Sequence, residues 1–246
     1  TRSYSVTGFQ TCALPIYILS TDAYRIAMSK LADLAYRTDK KHNKAVKYID
    51  IGGGFASKNT LKGAYYQGRD IVPGFDEYAE AITSALVNSE INPSKLPMLI
   101  LETGRALIDE AGYLIGTVLA NKRLADGRRS TITDTGVNML FTSFWYDHEL
   151  HPAKPTSDHL EETTIYGPLC MNIDVVRNAI AFPLLKKGDN FVIRRVGAYN
   201  MTQWMQFITY RPKIVLIDQK NKLHVIRESE NLQTVSGLEN LPDHLL

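Results

Sequence analysis

The chain has 246 residues, enough for one large domain or two ordinary ones, and its 44% hydrophobic and 22% charged content is that of a folded globular protein. A net charge of +2 gives no basis for a nucleic-acid or anionic-membrane partner, and no apolar run approaches the roughly 20 residues of a membrane helix. Cys12 and Cys170 stand far apart in unlike contexts, which is no disulfide framework and suits a reducing cytoplasm.

Thr1–Ile16 shows neither a helical nor a strand period. Its apolar stretch is short and interrupted by Pro15, which argues against a signal peptide. Thr7–Ile16 resembles the translation of a common sequencing adapter, with Phe9 where valine is usual. Residues 1–16 are therefore read as a non-native artefact, and an irregular native terminus is the alternative.

From Thr21 to Arg37, Ala23, Ile26, Ala27, Leu31, Leu34 and Ala35 fall at helical spacing, with Thr21 as N-cap. A charged loop is expected over Thr38–Lys44. Val46–Ile51 reads as a short buried strand ended by Gly52-Gly53-Gly54. After Gly74, Phe75, Tyr78, Ala79, Ile82, Ala85 and Leu86 line one face of a second helix, which Asn92-Pro93 ends. Met98–Leu101 is another strand, with Glu102 at its carboxyl end. Strand, helix, strand at this spacing means parallel sheet, as in an α/β barrel or an open α/β sheet.

The character changes near Ala106–Gly112. Leu114–Leu124 and Arg128–Asp134 are strand-like and joined by Asp126-Gly127, a hairpin signal. Phe191–Val196, Ile214–Ile217 and Leu223–Ile226 are also strand-like, and a short helix is expected near Asp174–Ala181. The expected organisation is α/β over 17–107 and an antiparallel β domain over 108–246.

Three glycines after a strand let backbone N–H groups approach an anion closely, and they equally suit a plain strand-to-loop turn. Glu102-Thr103-Gly104-Arg105 lies at a strand's carboxyl end, where barrels carry their chemistry. Its arginine can fork onto a phosphate and its glutamate can keep a ring nitrogen protonated, or the two can form a surface ion pair. Cys170 alone would be a small buried hydrophobe, and Tyr199 of Gly197-Ala198-Tyr199 either core packing or a phosphate donor.

Taken together, the order of these motifs resembles the fold type III decarboxylases, which include the ornithine, arginine and diaminopimelate decarboxylases. The motifs are triple glycine, Glu-x-Gly-Arg, Gly-Pro-x-Cys-x-x-x-Asp and Gly-Ala-Tyr, and the resemblance runs from about Ile18 to Asp218. It implies a pyridoxal-phosphate-binding (β/α) barrel, here partial, followed by a β domain, with an active site shared across a homodimer. It implies that Gly52, Gly53, Gly54, Gly104, Arg105 and Tyr199 hold the phosphate of pyridoxal 5'-phosphate. Glu102 would pair with the pyridine nitrogen, Cys170 would assist protonation in the partner's site, and Tyr166 and Asp174 would contact the amino-acid substrate. A carboxylate at the ring nitrogen favours the electron-sink form of the cofactor. The related alanine racemases place an arginine there, so Glu102 argues for decarboxylation over racemisation.

Where the pattern departs, it concerns the lysine and the substrate. The family's Schiff-base lysine lies far upstream of the triple glycine; Lys44, Lys47, Lys58 and Lys62 do not occupy such a place. Its ring-stacking histidine and phosphate-binding serine belong just before Ile18, where the adapter-like segment stands. The expectation is an amino-terminally truncated fragment that does not decarboxylate by itself; a non-catalytic cofactor-binding or interaction module is the alternative. Met171 follows Cys170 where an acid is usual, and Thr142 stands where an arginine follows the Asp134–Asn138 stretch. Both argue against meso-diaminopimelate. His148, His151 and His159, with Asp147, Glu149 and Asp158, are read as a solvated loop and no metal site. Trp145, Tyr146, Trp204 and Tyr210 are read as β-domain core or dimer interface.

Overall fold

The structure, a computed structural model, describes residues 17–63, 71–156 and 159–245; the expected artefact over 1–16 lies outside them. The chain divides into two compact units. The first comprises Thr1–Leu114, Trp145–Leu150 and Ile193–Ala198, and the second Ile115–Phe144, His151–Val192 and Tyr199–Leu246. Two later segments thus return to the first unit.

The first unit is built on α1 (Thr21–His42), β1 (Tyr48–Asp50), α2 (Phe75–Val87) and β3 (Met98–Ile100). β1 and β3 pair in parallel, Ile49 opposite Leu99. Tyr24, Met28, Ala32 and Ala35 of α1 are buried against Ile49, Phe55 and the Tyr78–Ile82–Leu86 stripe of α2. The buried face is thus turned about one residue from the one expected, and Ile26 and Leu34 are exposed. Tyr24 and Met28 offer more apolar surface than the alanines beside them, and burial follows area. α1 also extends into the expected loop at Thr38–Lys44, as far as His42. The Thr38 hydroxyl bonds back to the Leu34 carbonyl at 2.8 Å. Lys40, Lys41 and His42 sit in the last turn, where cations favour the helix dipole, and Asn43 closes it in the left-handed conformation. The N-cap is Ser20 rather than Thr21. α2 starts after Gly74, whose N–H donates to Glu77 at 2.7 Å. It ends at Val87, before the 3₁₀ turn Pro93–Lys95. β2 (Thr60–Leu61) pairs antiparallel with β6 (Tyr146–Asp147).

The second unit carries most of a six-stranded sheet ordered β7 (Leu150–Pro152), β10 (Asn190–Arg194), β4 (Tyr113–Arg123), β5 (Arg129–Thr133), β8 (Leu160–Tyr166) and β9 (Val175–Pro183). β4 and β5 form the expected hairpin, with Gly127 at φ +84° in its turn. The β5–β8 pair is parallel, while β4–β5 and β8–β9 are antiparallel. β9 replaces the helix expected near Asp174–Ala181. Val175, Val176 and Ile180 are β-branched, and Val176 and Phe182 are buried once β9 pairs with β8, so the sheet context overrides the local spacing. Arg129 is buried within this sheet, donating from Nε to Thr163 at 2.7 Å and from Nη2 to the Phe182 carbonyl. β11 (Ile214–Ile217) and β12 (Leu223–Arg227) form a separate hairpin, followed by the short helix α4 (Leu232–Ser236). Among the described residues no helix is long and apolar enough to cross a membrane. The architecture is a partial α/β barrel followed by a sheet domain.

Candidate functional site

In the first unit, parallel pairing continues past the strand ends. Ile51 N–H donates to the Ile100 carbonyl at 3.2 Å and Glu102 N–H to the Gly52 carbonyl at 2.8 Å. The triple glycine and the Glu102–Arg105 motif are therefore held side by side at the carboxyl ends of β1 and β3. Gly53 lies so close to β3 that a Cβ there would stand 2.5 Å from the Glu102 carbonyl oxygen. Gly52 and Gly54 have φ of +76° and +90°, and a Cβ on Gly52 would face open space.

The three glycine N–H groups are not equivalent. That of Gly52 donates to Asp50 Oδ1 at 2.8 Å, so the expectation of three open donors is corrected to two. Among the described residues the N–H groups of Gly53 and Gly54 have no acceptor. Two neighbouring donors on a backbone that only glycine can bring this close fit an anion such as a phosphate monoester. Glu102 is exposed and, among the described residues, its carboxylate makes no hydrogen bond or ion pair. Gly104, at φ +52°, caps the short helix α3 (Arg105–Ile108). Arg105 is buried, with its guanidinium carbon 5.2 Å over the Tyr146 ring.

Beneath this motif lies a buried carboxylate that sequence reading passed over. Asp109 accepts from Ser57 Oγ at 2.5 Å, Asn59 Nδ2 at 3.1 Å and the Ala198 N–H at 3.0 Å. Burial raises its pKa, while these donors and the Arg105 charge oppose the rise. Tyr17 donates to the Asn59 carbonyl at 2.6 Å, and burial pushes its phenol up to about 12. Arg195, half-buried, pairs with Glu149 at 2.8 Å. His148 is buried beside Tyr146, not solvated as expected, while His151 and His159 are exposed and Asp158 lies outside the described residues. A signal for Asp109 existed, an acid in an otherwise apolar Ala106–Ile108 context, but its partners are distant in sequence.

In the second unit, Asp174 is buried and uses both oxygens on backbone donors, Val137 N–H at 2.8 Å and Leu169 N–H at 2.7 Å. Gly136 and Gly167 pack against this carboxylate; a Cβ on Gly136 would stand 2.5 Å from it. Burial raises the Asp174 pKa against the pull of the two N–H groups. The side chain expected to grip substrate thus holds two loops together. Cys170, next to Leu169, is an exposed free thiol, not a buried hydrophobe. Tyr166 is half-buried at the end of β8, and Tyr199 is exposed with φ +63°. Thr142 is buried and donates to Asn200 Oδ1 at 2.8 Å. Trp204 is buried, with Nε1 on the Met139 carbonyl at 2.8 Å, whereas Tyr210 is exposed.

A family described as pyridoxal-dependent decarboxylase, C-terminal sheet domain, matches residues 17–197. The chain belongs to this family. The chain is 28% identical over 235 residues to the diaminopimelate decarboxylase of Methanothermobacter thermautotrophicus, covering 93% of this chain and 52% of that protein. It is 29% identical over 198 residues to the diaminopimelate decarboxylase of Helicobacter pylori, covering 79% and 45%. Among solved structures, diaminopimelate decarboxylase from M. jannaschii superposes with a TM-score of 0.79 at 24% identity, over 93% of this chain and 51% of that one. The chain spans about half the length of the curated relatives it matches. The family is pyridoxal-dependent, and its cofactor carries a phosphate monoester, the class of anion that two backbone donors suit.

Proposed function

We propose that the protein to which this chain belongs uses pyridoxal phosphate to decarboxylate an amino acid other than meso-diaminopimelate. The observation that carries the reading is the parallel β1–β3 register, which brings the Glu102–Arg105 motif and two glycine N–H groups, without an acceptor among the described residues, to one end of the barrel fragment. The N–H groups of Gly53 and Gly54 would bind the phosphate, with Gly52 and Gly104 supplying the tight backbone and Arg105 the positive charge. The family resemblance gives Tyr199 the role of a phosphate donor through its hydroxyl. When bound, the cofactor supplies a protonated ring that accepts the electron pair left by departing carbon dioxide. Glu102 would hold the proton on the ring nitrogen. Cys170 would hold a proton for the substrate's α-carbon in a homodimer with shared sites, and its free thiol suits a reducing cytoplasm. Tyr166 would contact substrate directly; Asp174 would act through the two loops it holds.

Two neutral residues support the substrate reading. Met171 and Thr142 carry no charge for a distal amine or carboxylate, and the Thr142 hydroxyl is already bonded to Asn200. Losing one partner of a buried charged pair costs about 2–5 kcal/mol, so discrimination in favour of meso-diaminopimelate should be absent. The isolated chain is expected to release no carbon dioxide, because none of Lys44, Lys47, Lys58 and Lys62 stands where the resemblance places the Schiff-base lysine.

The test is carbon dioxide release by the full-length gene product, loaded with pyridoxal phosphate, from a panel of amino acids. Release from at least one, with meso-diaminopimelate about tenfold or more poorer in kcat/KM, is expected. A best rate with meso-diaminopimelate overturns the substrate reading. Exchange of the α-proton without carbon dioxide release from any member of the panel overturns decarboxylation in favour of racemisation. Carbon dioxide release by the 246-residue chain alone overturns its inactivity.

A further inference from the structure

The two open N–H groups of the glycine loop are aimed by what grips the carbonyl on the far side of each peptide. In a trans peptide the C=O and the following N–H point in opposite directions within one plane. The Gly52 carbonyl accepts from the Glu102 N–H at 2.8 Å, so the Gly53 N–H faces away from β3. The Gly53 carbonyl accepts from the Tyr24 hydroxyl at 2.9 Å, so the Gly54 N–H faces away from α1.

These clamps differ in kind. The first is backbone, available whatever side chain stands at 102. The second depends on a single side chain. It also acts where the chain is least able to hold itself, because the Gly53–Gly54 peptide has no Cβ on either side and can turn over at little steric cost. The ring that delivers the hydroxyl is fixed. It is buried, stacks on Phe55 with centroids 4.6 Å apart and planes at 22°, and meets Tyr78 edge-on at 5.2 Å. Burial raises the Tyr24 pKa, so the hydroxyl keeps its proton and stays a donor.

We propose that Tyr24 is a positioning residue for the phosphate cradle. Its hydroxyl holds the Gly53–Gly54 peptide plane in the one orientation that presents the Gly54 N–H to a phosphate monoester. The inference rests on the cofactor reading above and extends it to a residue on α1 that acts through the Gly53 carbonyl.

The test uses pyridoxine 5'-phosphate and pyridoxine as probes. They share a ring, lack an aldehyde and so need no lysine, and differ by the phosphate alone. Calorimetric affinities for both are measured on the full-length gene product and on Tyr24→Phe, which keeps the stacked ring and loses only the hydroxyl. The unaltered protein should prefer the phosphorylated probe. In Tyr24→Phe that preference should fall about three- to tenfold, the size of one net hydrogen bond, with pyridoxine affinity unchanged. 4-Aminophenylalanine at position 24 restores a donor and should recover part of the preference; it carries the comparison with the unaltered protein if Tyr24→Phe does not fold. A preference unchanged in Tyr24→Phe, or affinities for both probes lowered alike, overturns the positioning role alone. No preference in the unaltered protein overturns the cofactor reading and this inference with it.

Discussion

Replacing Gly53 by alanine should damage the fold more than replacing Gly52, although Gly52 has the less usual backbone. At Gly53 the new Cβ would stand 2.5 Å from the Glu102 carbonyl oxygen, which belongs to the backbone and cannot swing aside. Relief requires β1 and β3 to separate at their carboxyl ends. Overpacking of this kind costs about 1–3 kcal/mol. The separation also lengthens the Glu102 N–H to Gly52 carbonyl bond, now 2.8 Å, whose net worth is about 1 kcal/mol. Together these give about 2–4 kcal/mol. At Gly52 a Cβ meets nothing within 4 Å, and the cost is the strain of φ +76°, about 1–2 kcal/mol. Urea unfolding of the purified chain, followed by circular dichroism, compares the two. Gly53→Ala should show the lower midpoint at an unchanged m-value. An equal or higher midpoint for Gly53→Ala would refute the tight approach of the two strand ends.

Two further outcomes follow from the buried acids. Asp174→Asn leaves one acceptor where Val137 and Leu169 present two donors, so about 1–3 kcal/mol should be lost in the same unfolding assay; an unchanged midpoint counts against the loop clamp. Asp109 has a folded pKa raised above its ordinary 3.8, so its contribution is fully present below that value and is lost as pH rises through the folded pKa. The stability of the unaltered chain relative to Asp109→Asn should therefore decline as pH climbs above about 4. A difference that stays flat or grows over that range contradicts the burial of this carboxylate.

The site's outline was legible because its parts are local. A strand pattern followed by glycines, and another followed by Glu-x-Gly-Arg, declare their position within a few residues. What sequence missed is set by long-range partners. Tyr24 looked like a bystander on a helix whose face was read from Ala23, Ile26 and Ala27; its role appears only once its hydroxyl meets Gly53, 29 residues on. Asp109 depends on Ser57, Asn59 and Ala198, which no local pattern joins to it. Asp174 resembled a substrate grip because it follows Cys170 closely, yet Gly136 and Gly167 create the space that buries it. Val175–Ala181 carries helical spacing and became a strand because β8 offered a partner.

The clamp at Asp174 separates the mounting of Cys170 from the side chain that follows it. Leu169 is tethered by its N–H to the buried carboxylate, and Asp174 N–H is bound to the Met171 carbonyl at 3.1 Å. Among the described residues, the hydrogen bonds of the Cys170 loop therefore run through main-chain atoms or through Asp174. The side chain at 171 takes no part in them and can be exchanged without shifting the thiol beside it. A scaffold wired in this way would let the residue at 171 vary while the thiol stays where it is.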